Sequence, residues 1–170
     1  AVKEDSSGSG GTIQRTADSN SFEIIHDVAT QIVYTTQPAA TVTSGDDILQ
    51  ILDIQDTYGN LVSTGPDATA DVTISLQTGT GTLSGTNVVA ASGGTVTWGA
   101  GDDLAIDLIG AKTIRATKED TTGNSGTIQR TVDSNSFTFV HGVATQIVFT
   151  TEPTDNTSAG VDLLPVVQVQ

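Results

Sequence analysis

Hydrophobic and polar residues alternate with a period of two along several short stretches of the chain. Val72, Ile74 and Leu76 would share one face of an extended strand, and Leu104, Ile106 and Leu108 repeat that spacing. This period is typical of a half-buried β-strand, in which successive side chains face opposite sides of a sheet. Stretches rich in Val, Ile and Thr predict further strands at residues 31–36, 48–55, 87–92, 95–98, 112–118, 127–132 and 136–141.

Turn-forming residues separate these stretches at short intervals. They cluster at residues 57–60, 79–81, 92–94 and 99–101, where Gly, Asn and Ser are frequent. Several short strands with regular turns between them, and no stretch with the apolar stripe of a helix, favour an all-β fold. We therefore expect an antiparallel β-sandwich of about seven to nine strands.

The chain contains an internal repeat with a spacing of 115 residues. The motif at residues 3–5 recurs at 118–120, and the motif Gly-Thr-Ile-Gln-Arg-Thr at 11–16 recurs at 126–131. The same spacing relates residues 18–22 to 133–137 and residues 28–33 to 143–148. More than half of the aligned positions are identical, which predicts a tandem array of one domain of about 115 residues.

The repeat divides the chain into three parts. Residues 1–27 are predicted to be the C-terminal strands of one repeat, residues 28–142 a complete repeat, and residues 143–170 the N-terminal strands of the next. Because both ends align with the interior of predicted strands, we expect the sequence to be a window on a longer polypeptide. The joins near residues 27 and 142 contain no Pro-rich or Ser-rich spacer, which favours closely coupled neighbours and a stiff rod.

The motifs within the repeat resemble a known family. Thr30–Pro38, Leu52–Asn60 and Thr78–Gly85 are similar, in that order, to the bacterial Ig-like (Big-type) tandem repeats of large surface proteins and adhesins. Thr145–Pro153, followed by Leu164–Gln170, is closer still to that pattern. The resemblance covers the whole repeat and implies an Ig-like module at the cell surface, of bacterial type, with no catalysis. The segment at 117–141 departs from it, because it is longer than the last hairpin of that family.

Composition and charge narrow the classes of partner. Six Lys and Arg against 20 Asp and Glu give a formal net charge of −14, which opposes binding to nucleic acid or to an anionic membrane. There is no Cys, so neither a disulfide nor a thiolate metal site can form. No apolar run approaches the roughly 20 residues that span a bilayer, so we expect no membrane insertion in this window.

Acidic residues provide the one plausible binding chemistry, and calcium is the candidate cation. Asp46 and Asp47 precede one predicted strand, Asp102 and Asp103 precede another, and Asp53 and Asp56 follow the first pair. Calcium takes six to eight oxygen ligands, which carboxylates on turns can supply. The alternative is that these residues form Asx turns or are simply solvated, since no EF-hand loop is present. Asp27 at the first join is a further candidate, although its counterpart in the next copy is Gly142.

Other features of the sequence point away from an enzyme. His26 and His141 are equivalent positions, so each repeat has a single His and cannot form a pair of His metal ligands. Trp98 shares a strand face with Val96, which favours a structural role over a carbohydrate platform. Lys112 and Lys118 raise the alternative of a covalent cross-link to an Asp or Asn side chain, which the resemblance suggests and which would need a buried triad.

Three function hypotheses remain open from the sequence. The first is a non-enzymatic structural repeat of a long extracellular or cell-surface protein, acting as a stalk, adhesin shaft or fibre subunit. Its partners would be neighbouring repeats or other protomers. The second is a surface binding module that recognises a glycan, a host protein or another protomer by strand exchange, through loops such as 63–67 or 119–126. The third is an accessory module of a secreted hydrolase, which would need a catalytic domain elsewhere in the parent protein.

Overall fold

The computed structural model describes residues 2–5, 13–119 and 129–169, and these form β-strands joined by turns and loops. A single short 3-10 helix, Pro66–Thr69, occurs in this described part. The strands are β1 (Val2–Asp5), β2 (Ile13–Thr16), β3 (Gln31–Thr36), β4 (Thr41–Thr43), β5 (Gln50–Gln55), β6 (Asp71–Thr78), β7 (Leu83–Ser84), β8 (Val88–Ala90), β9 (Thr95–Trp98), β10 (Ala105–Ile106), β11 (Gly110–Glu119), β12 (Gln129–Asp133), β13 (Phe137–Val140), β14 (Ile147–Thr151) and β15 (Val166–Val169).

Two sheets form the body of residues 28–142. One has three antiparallel strands in the order β3-β5-β9. The other has the order β4-β13-β11-β6-β8, in which β4 runs parallel to β13 and the remaining pairs are antiparallel. A single hydrophobic cluster takes residues from both sheets, an arrangement compatible with a β-sandwich.

The hydrophobic cluster follows the alternation seen in the sequence. Its members on the three-stranded sheet are Ile32, Tyr34, Leu52, Ile54, Val96 and Trp98, and those on the larger sheet are Val42, Val72, Ile74, Ile114, Ala116, Phe137 and Phe139. Burial of these side chains removes apolar surface from water and is the main source of stability for a chain without disulfides.

The longest strand, β11, lies at the centre of the larger sheet. Strand β6 pairs with one edge of β11, while β12 and β13 occupy successive stretches of the other edge. Ser134 bridges the break between β12 and β13: its backbone N donates to Ile114 O at 2.9 Å, and its hydroxyl accepts from Ile114 N at 3.1 Å. The side chain of Ser134 thus replaces a missing rung of the backbone ladder.

Several sequence-based strand predictions are confirmed, and one is wrong in part. The segments at 31–36 and 95–98 are strands over the predicted residues, and those at 48–55, 87–92, 112–118 and 136–141 contain strands that differ by a few residues at their ends. The segment predicted at 127–132 lies partly outside the described residues, and its described part belongs to β12. The expected alternation at 104–108 fails at Leu108, which is exposed, because the strand here has two residues and, among the described strands, pairs with β7 alone. The segment 28–142 contains eleven described strands, two of them only two residues long.

The strand pairing repeats with the same spacing as the sequence. In the β1–β2 hairpin, Lys3 is paired with Arg15, and in β11–β12 Lys118 is paired with Arg130. In β14–β15 the partners Ile147↔Val169 and Phe149↔Val167 correspond to Ile32↔Ile54 and Tyr34↔Leu52 in β3–β5. Both of these hairpins also have a register shift at the same place, between residues 34 and 36 and between residues 149 and 151.

Candidate functional site

A tight turn after β5 is organised around the carboxylate of Asp56. Its Oδ1 accepts hydrogen bonds from the backbone N of Tyr58 and of Asn60, both at 2.9 Å, and its Oδ2 accepts from Asn60 Nδ2 at 3.0 Å. Gly59 supplies the positive φ of 85° that the turn requires. The turn that the sequence predicts at residues 56–60 is therefore confirmed, with Asp56 as its cap.

Asp56 also binds the segment that enters from the preceding part of the chain. Its Oδ2 accepts a hydrogen bond from the backbone N of Asp27 at 3.0 Å. This bond and those from Asn60 and Tyr58 hold the pKa of Asp56 well below its ordinary value, although burial of the side chain opposes the shift. Asp56 thus stays ionised while it joins two segments 29 positions apart.

His26 makes a second contact between the same two regions. Its Nε2 lies 2.8 Å from Thr64 Oγ1 and accepts from Thr64 N at 3.3 Å. Because the backbone N of Thr64 can only donate, Nε2 is the unprotonated ring nitrogen and Nδ1 carries the proton. Nδ1–H then donates to Asp27 O at 2.9 Å. We call residues 26–27 together with the loop 56–64 the junction.

The contact at position 27 uses the backbone and not the side chain. The carboxylate of Asp27 accepts a hydrogen bond from the adjacent Val28 N at 2.8 Å, while its backbone N reaches Asp56. Gly142, the counterpart of Asp27, has the same backbone donor although it has no carboxylate. His141 also repeats the local contact of His26, since its Nδ1 lies 3.0 Å from Gly142 O.

The acidic pairs predicted from the sequence meet at the opposite end of β5. The backbone N of Ile48 donates to Leu104 O at 2.7 Å, which brings the loop of Asp46 and Asp47 beside the loop of Asp102 and Asp103. Asp46, Asp47 and Ala100 line one shallow depression there. Since β5 has six residues at roughly 3.3 Å each, about 20 Å separates this end from Asp56.

The predicted calcium ligands that are hydrogen-bonded have partners within the protein. Asp102 Oδ2 accepts from Gly99 N at 2.8 Å, and Asp53 Oδ1 accepts from Thr95 Oγ1 at 2.8 Å. Asp103 adopts a positive φ of 51°, as Asp and Asn do in turns. Within the residues the structure describes, no group of three or more His, Cys, Asp or Glu side chains is arranged to hold a metal ion. Calcium binding by Asp46, Asp47, Asp53, Asp56, Asp102 and Asp103 stays a prediction.

Two buried lysines stand at the ends of the inward face of β11. Lys112, Ile114, Ala116 and Lys118 alternate along this face and are all buried. The Nζ of Lys118 lies 2.6 Å from Asp67 Oδ1, and the Nζ of Lys112 donates to Ile109 O at 3.1 Å. The sequence identifies both lysines as candidates for a cross-link but does not predict their partners. Asp67 follows a loop, and the alternation of hydrophobic and polar residues does not predict where a loop lies. In the structure, Lys118 and Asp67 form an ion pair.

Other polar side chains of the body have clear structural roles. Trp98 is buried, and its Nε1 donates to Thr86 O at 2.9 Å, which confirms the structural role predicted for it. Arg115 and Asp133 form a two-pronged ion pair at 2.6 and 2.9 Å on the surface, which lowers the pKa of Asp133 and raises that of Arg115. Among the residues that the structure describes, none forms a hydrogen bond with the buried hydroxyl of Tyr34. Its burial, and to a smaller extent the charge of Asp133, raises the pKa of Tyr34.

Comparisons with known proteins leave the family resemblance as a hypothesis. No family model matches this chain, and no curated protein matches it significantly. Within the described ranges, the structure has no helix that is long and apolar enough to cross a membrane. The candidate loop at 63–67 is described and leads into the 3-10 helix, whereas most of the candidate loop at 119–126 lies outside the described residues.

Proposed function

We propose that this chain is a non-enzymatic structural repeat of a long extracellular or cell-surface protein. In such a protein, Ig-like domains of about 115 residues follow one another and hold a terminal domain at a distance. The junction carries this proposal: the bonds from Asp27 N to Asp56 and between His26 and Thr64 connect the segment before residue 28 to a loop of the next unit. Two contacts on different residues restrain a hinge more than one contact does.

Strand pairing supports the division into repeats. The terminal hairpins β1–β2 and β14–β15 have the same registers as β11–β12 and β3–β5, at the spacing of the sequence repeat. The boundaries proposed from the sequence, 1–27, 28–142 and 143–170, place each of these hairpins within one unit. Each unit would then fold separately, as expected of a domain in an array.

Strand order supports the Ig-like assignment. The orders β3-β5-β9 and β6-β11-β13 correspond to strands A, B, E and C, F, G of an Ig-like sandwich. The first strand is divided between the sheets, because β3 pairs with β5 while β4 pairs in parallel with β13. This order favours the Big-type resemblance in fold, and the proposed surface location follows from that resemblance together with the acidic composition.

Small-angle X-ray scattering on a two-repeat protein tests the proposal. Two copies of residues 28–142 joined in tandem place Gly142 of the first copy before Val28 of the second. We expect the maximum dimension to grow by one domain length relative to a single copy, with little spread. The same measurement with calcium and with chelator tests whether the acidic pairs bind the ion and affect stiffness.

Two substitutions at Gly142 provide the matched comparison. Gly142→Pro removes the backbone donor to the second copy's Asp56, whereas Gly142→Asp keeps the donor and reproduces the residue at position 27. We expect the proline variant to sample bent forms and the aspartate variant to stay extended. A two-repeat protein that is equally flexible in all three forms would contradict the spacer proposal. Binding of a single repeat to a glycan array would favour the binding-module alternative.

A further inference from the structure

The segment that enters the body and the segment that leaves it lie at opposite ends of the body. Asp27 is hydrogen-bonded to Asp56, which directly follows β5, whereas β13 ends at Val140, next to Ser44 in the loop that leads into β5. The six residues of β5 span about 20 Å between these ends. We call the end near Asp56 the entry end and the end near Val140 the exit end.

Two equivalent residues link the body to its neighbours at each end. His26 and His141 are counterparts in the repeat, and the Nδ1 of each ring lies close to the backbone O of the next residue, at 2.9 and 3.0 Å. Because the two links share this local contact, the contacts that each makes with the body can be combined. At the exit end, Ser44 N donates to Val140 O at 2.8 Å, and a Cβ built on Gly142 would lie 3.6 Å from Ser44 O.

The combined contacts bring the loop after β4 of one repeat close to the loop 56–64 of the next. The backbone N of Asp27 lies 3.0 Å from Asp56 Oδ2 of the repeat that it enters, and its counterpart Gly142 touches Ser44 of the repeat that it leaves. Since N and Cβ of one residue are about 2.5 Å apart, Ser44 O and the next repeat's Asp56 Oδ2 are at most about 9 Å apart. This gap holds only side chains or a layer of water, so the two loops are neighbours.

The exit end exposes three large apolar side chains. Leu49 is 50% exposed, in the loop that contains Asp46 and Asp47. Leu108 and Ile109 are 51% and 57% exposed, and they directly precede β11, whose first residue pairs with β13 near the end of that strand. We call these five residues the exit surface. Apolar side chains grouped beside the point where the chain leaves a domain are typical of a contact surface.

The loop 56–64 complements the exit surface in both its apolar and its polar groups. Tyr58 is 79% exposed and Leu61 is 38% exposed, so contact removes apolar area from water on both sides. The carboxylates of the exit surface can accept hydrogen bonds, which the hydroxyls of Tyr58 and Ser63 can donate. Asp56, the only acidic residue of this loop, is buried and its oxygens accept four hydrogen bonds, so it presents no free charge to the exit surface.

We propose that the exit surface of each repeat packs against the loop 56–64 of the following repeat. The partner of this surface is therefore the next copy of the domain in the same chain. The inference rests on the proposed function, because it assumes that complete repeats follow one another, and it adds the surface that holds them in line. Stiffness then depends on this contact as well as on the hydrogen bonds of the link.

A completed two-repeat protein tests the contact. Gln170 is the counterpart of Gln55, so the full chain followed by a second copy of residues 56–142 contains two complete repeats. Leu49→Cys is introduced into the full chain and into the completed protein, neither of which has another Cys, and the rate of its reaction with a maleimide is measured. We expect a rate about tenfold lower in the completed protein, which corresponds to a closed contact favoured by about 1.4 kcal/mol.

Asp71→Cys in the first repeat is the matched control. Asp71 is exposed at the entry end, and the eight residues of β6 that follow it span about 26 Å, so its thiol should react at the same rate in both proteins. A second substitution, Tyr58→Cys in the added copy, provides a direct measure of proximity. A short bismaleimide should join its thiol to that of Leu49→Cys but not to that of Asp71→Cys.

Equal reactivity of Leu49→Cys in the two proteins, with cross-linking no greater than in the Asp71→Cys control, would overturn the proposed contact. Small-angle scattering of the completed protein separates this failure from a failure of the spacer function. A particle longer by one domain but without the contact would leave the spacer function standing, whereas a bent and variable particle would contradict both.

Discussion

Removing the carboxylate of Asp67 tests how much the buried ion pair with Lys118 contributes to stability. The side chain of Lys118 is 1% exposed and that of Asp67 is 17% exposed, and their charged atoms lie 2.6 Å apart. Asp67→Ala leaves the Lys118 ammonium buried with its carboxylate partner gone. Breaking a buried pair in this way costs about 3–5 kcal/mol of unfolding free energy.

The partial exposure of Asp67 places the expected loss of unfolding free energy at the lower end of this range of about 3–5 kcal/mol. Because Asp67 is partly open to solvent, water can reach the ammonium once the carboxylate is removed, and we expect a loss of about 3 kcal/mol. Replacing both residues, as in Asp67→Ala/Lys118→Met, removes the charges together. We expect that double variant to lie within about 1 kcal/mol of the natural protein, because an apolar pair of similar volume needs no compensation.

Equilibrium unfolding in urea, followed by the fluorescence of Trp98, measures these values. Trp98 is the only Trp in the chain and is buried, so its emission reports on the body alone. Asp71→Ala is the matched control, because Asp71 is exposed four positions later and should change stability by less than about 0.5 kcal/mol. An Asp67→Ala variant as stable as this control would refute the reasoning. An intact mass lower than the sequence mass by one water would show an amide in place of the ion pair.

Two further predictions concern single side chains. Tyr34→Phe should stabilise the protein by about 1 kcal/mol in the same urea assay, since it removes a buried hydroxyl without a partner; a loss would show that the hydroxyl is bonded. Because burial raises the pKa of Tyr34 above the ordinary 10.0, the natural protein should also lose stability relative to this variant above that pH. Asp56→Asn should lower the melting temperature at neutral pH, because an amide cannot accept all four hydrogen bonds of the carboxylate. Since the pKa of Asp56 is lowered, this difference should stay constant above the ordinary Asp pKa of 3.8 and shrink as pH falls below it; a difference independent of pH would contradict the assignment.

Period-two alternation predicted the strands that bury one face, and it failed where pairing was short. Val72 and Ile74 are fully buried in β6, as expected, because this eight-residue strand is paired on both sides and their orientation is therefore fixed. Leu108 lies beyond the two-residue strand β10, where Asp107 Oδ1 accepts from Thr82 N and directs the chain into a loop. The strand Thr41–Thr43 was missed because three residues of Thr and Val carry no measurable period.

Side-chain partners were harder to predict than strands. The cap of Asp56 follows from its spacing to Gly59 and Asn60, since the Asx turn is local in sequence. The hydrogen bond from Asp27 N to Asp56 joins residues 29 positions apart. Its donor is a backbone N–H, which every residue except Pro has, so the residue type at position 27 does not predict it. The side chains of Asp27 and Gly142 differ, so they do not indicate the backbone hydrogen bond that either position can form. Lys118 and Asp67 likewise meet only through the tertiary fold.

Lys112 and Lys118, at the two ends of the inward face of β11, disfavour pairing of this strand with its neighbours in the wrong register. A slip of two residues keeps every side chain of a strand on its original face, so hydrophobic alternation alone does not penalise it. In β11 such a slip carries Lys118 to the site of Ala116, or Lys112 to the site of Ile114, and both sites are fully buried. Either error would place an ammonium in the apolar interior, which discriminates the correct alignment from its nearest competitors.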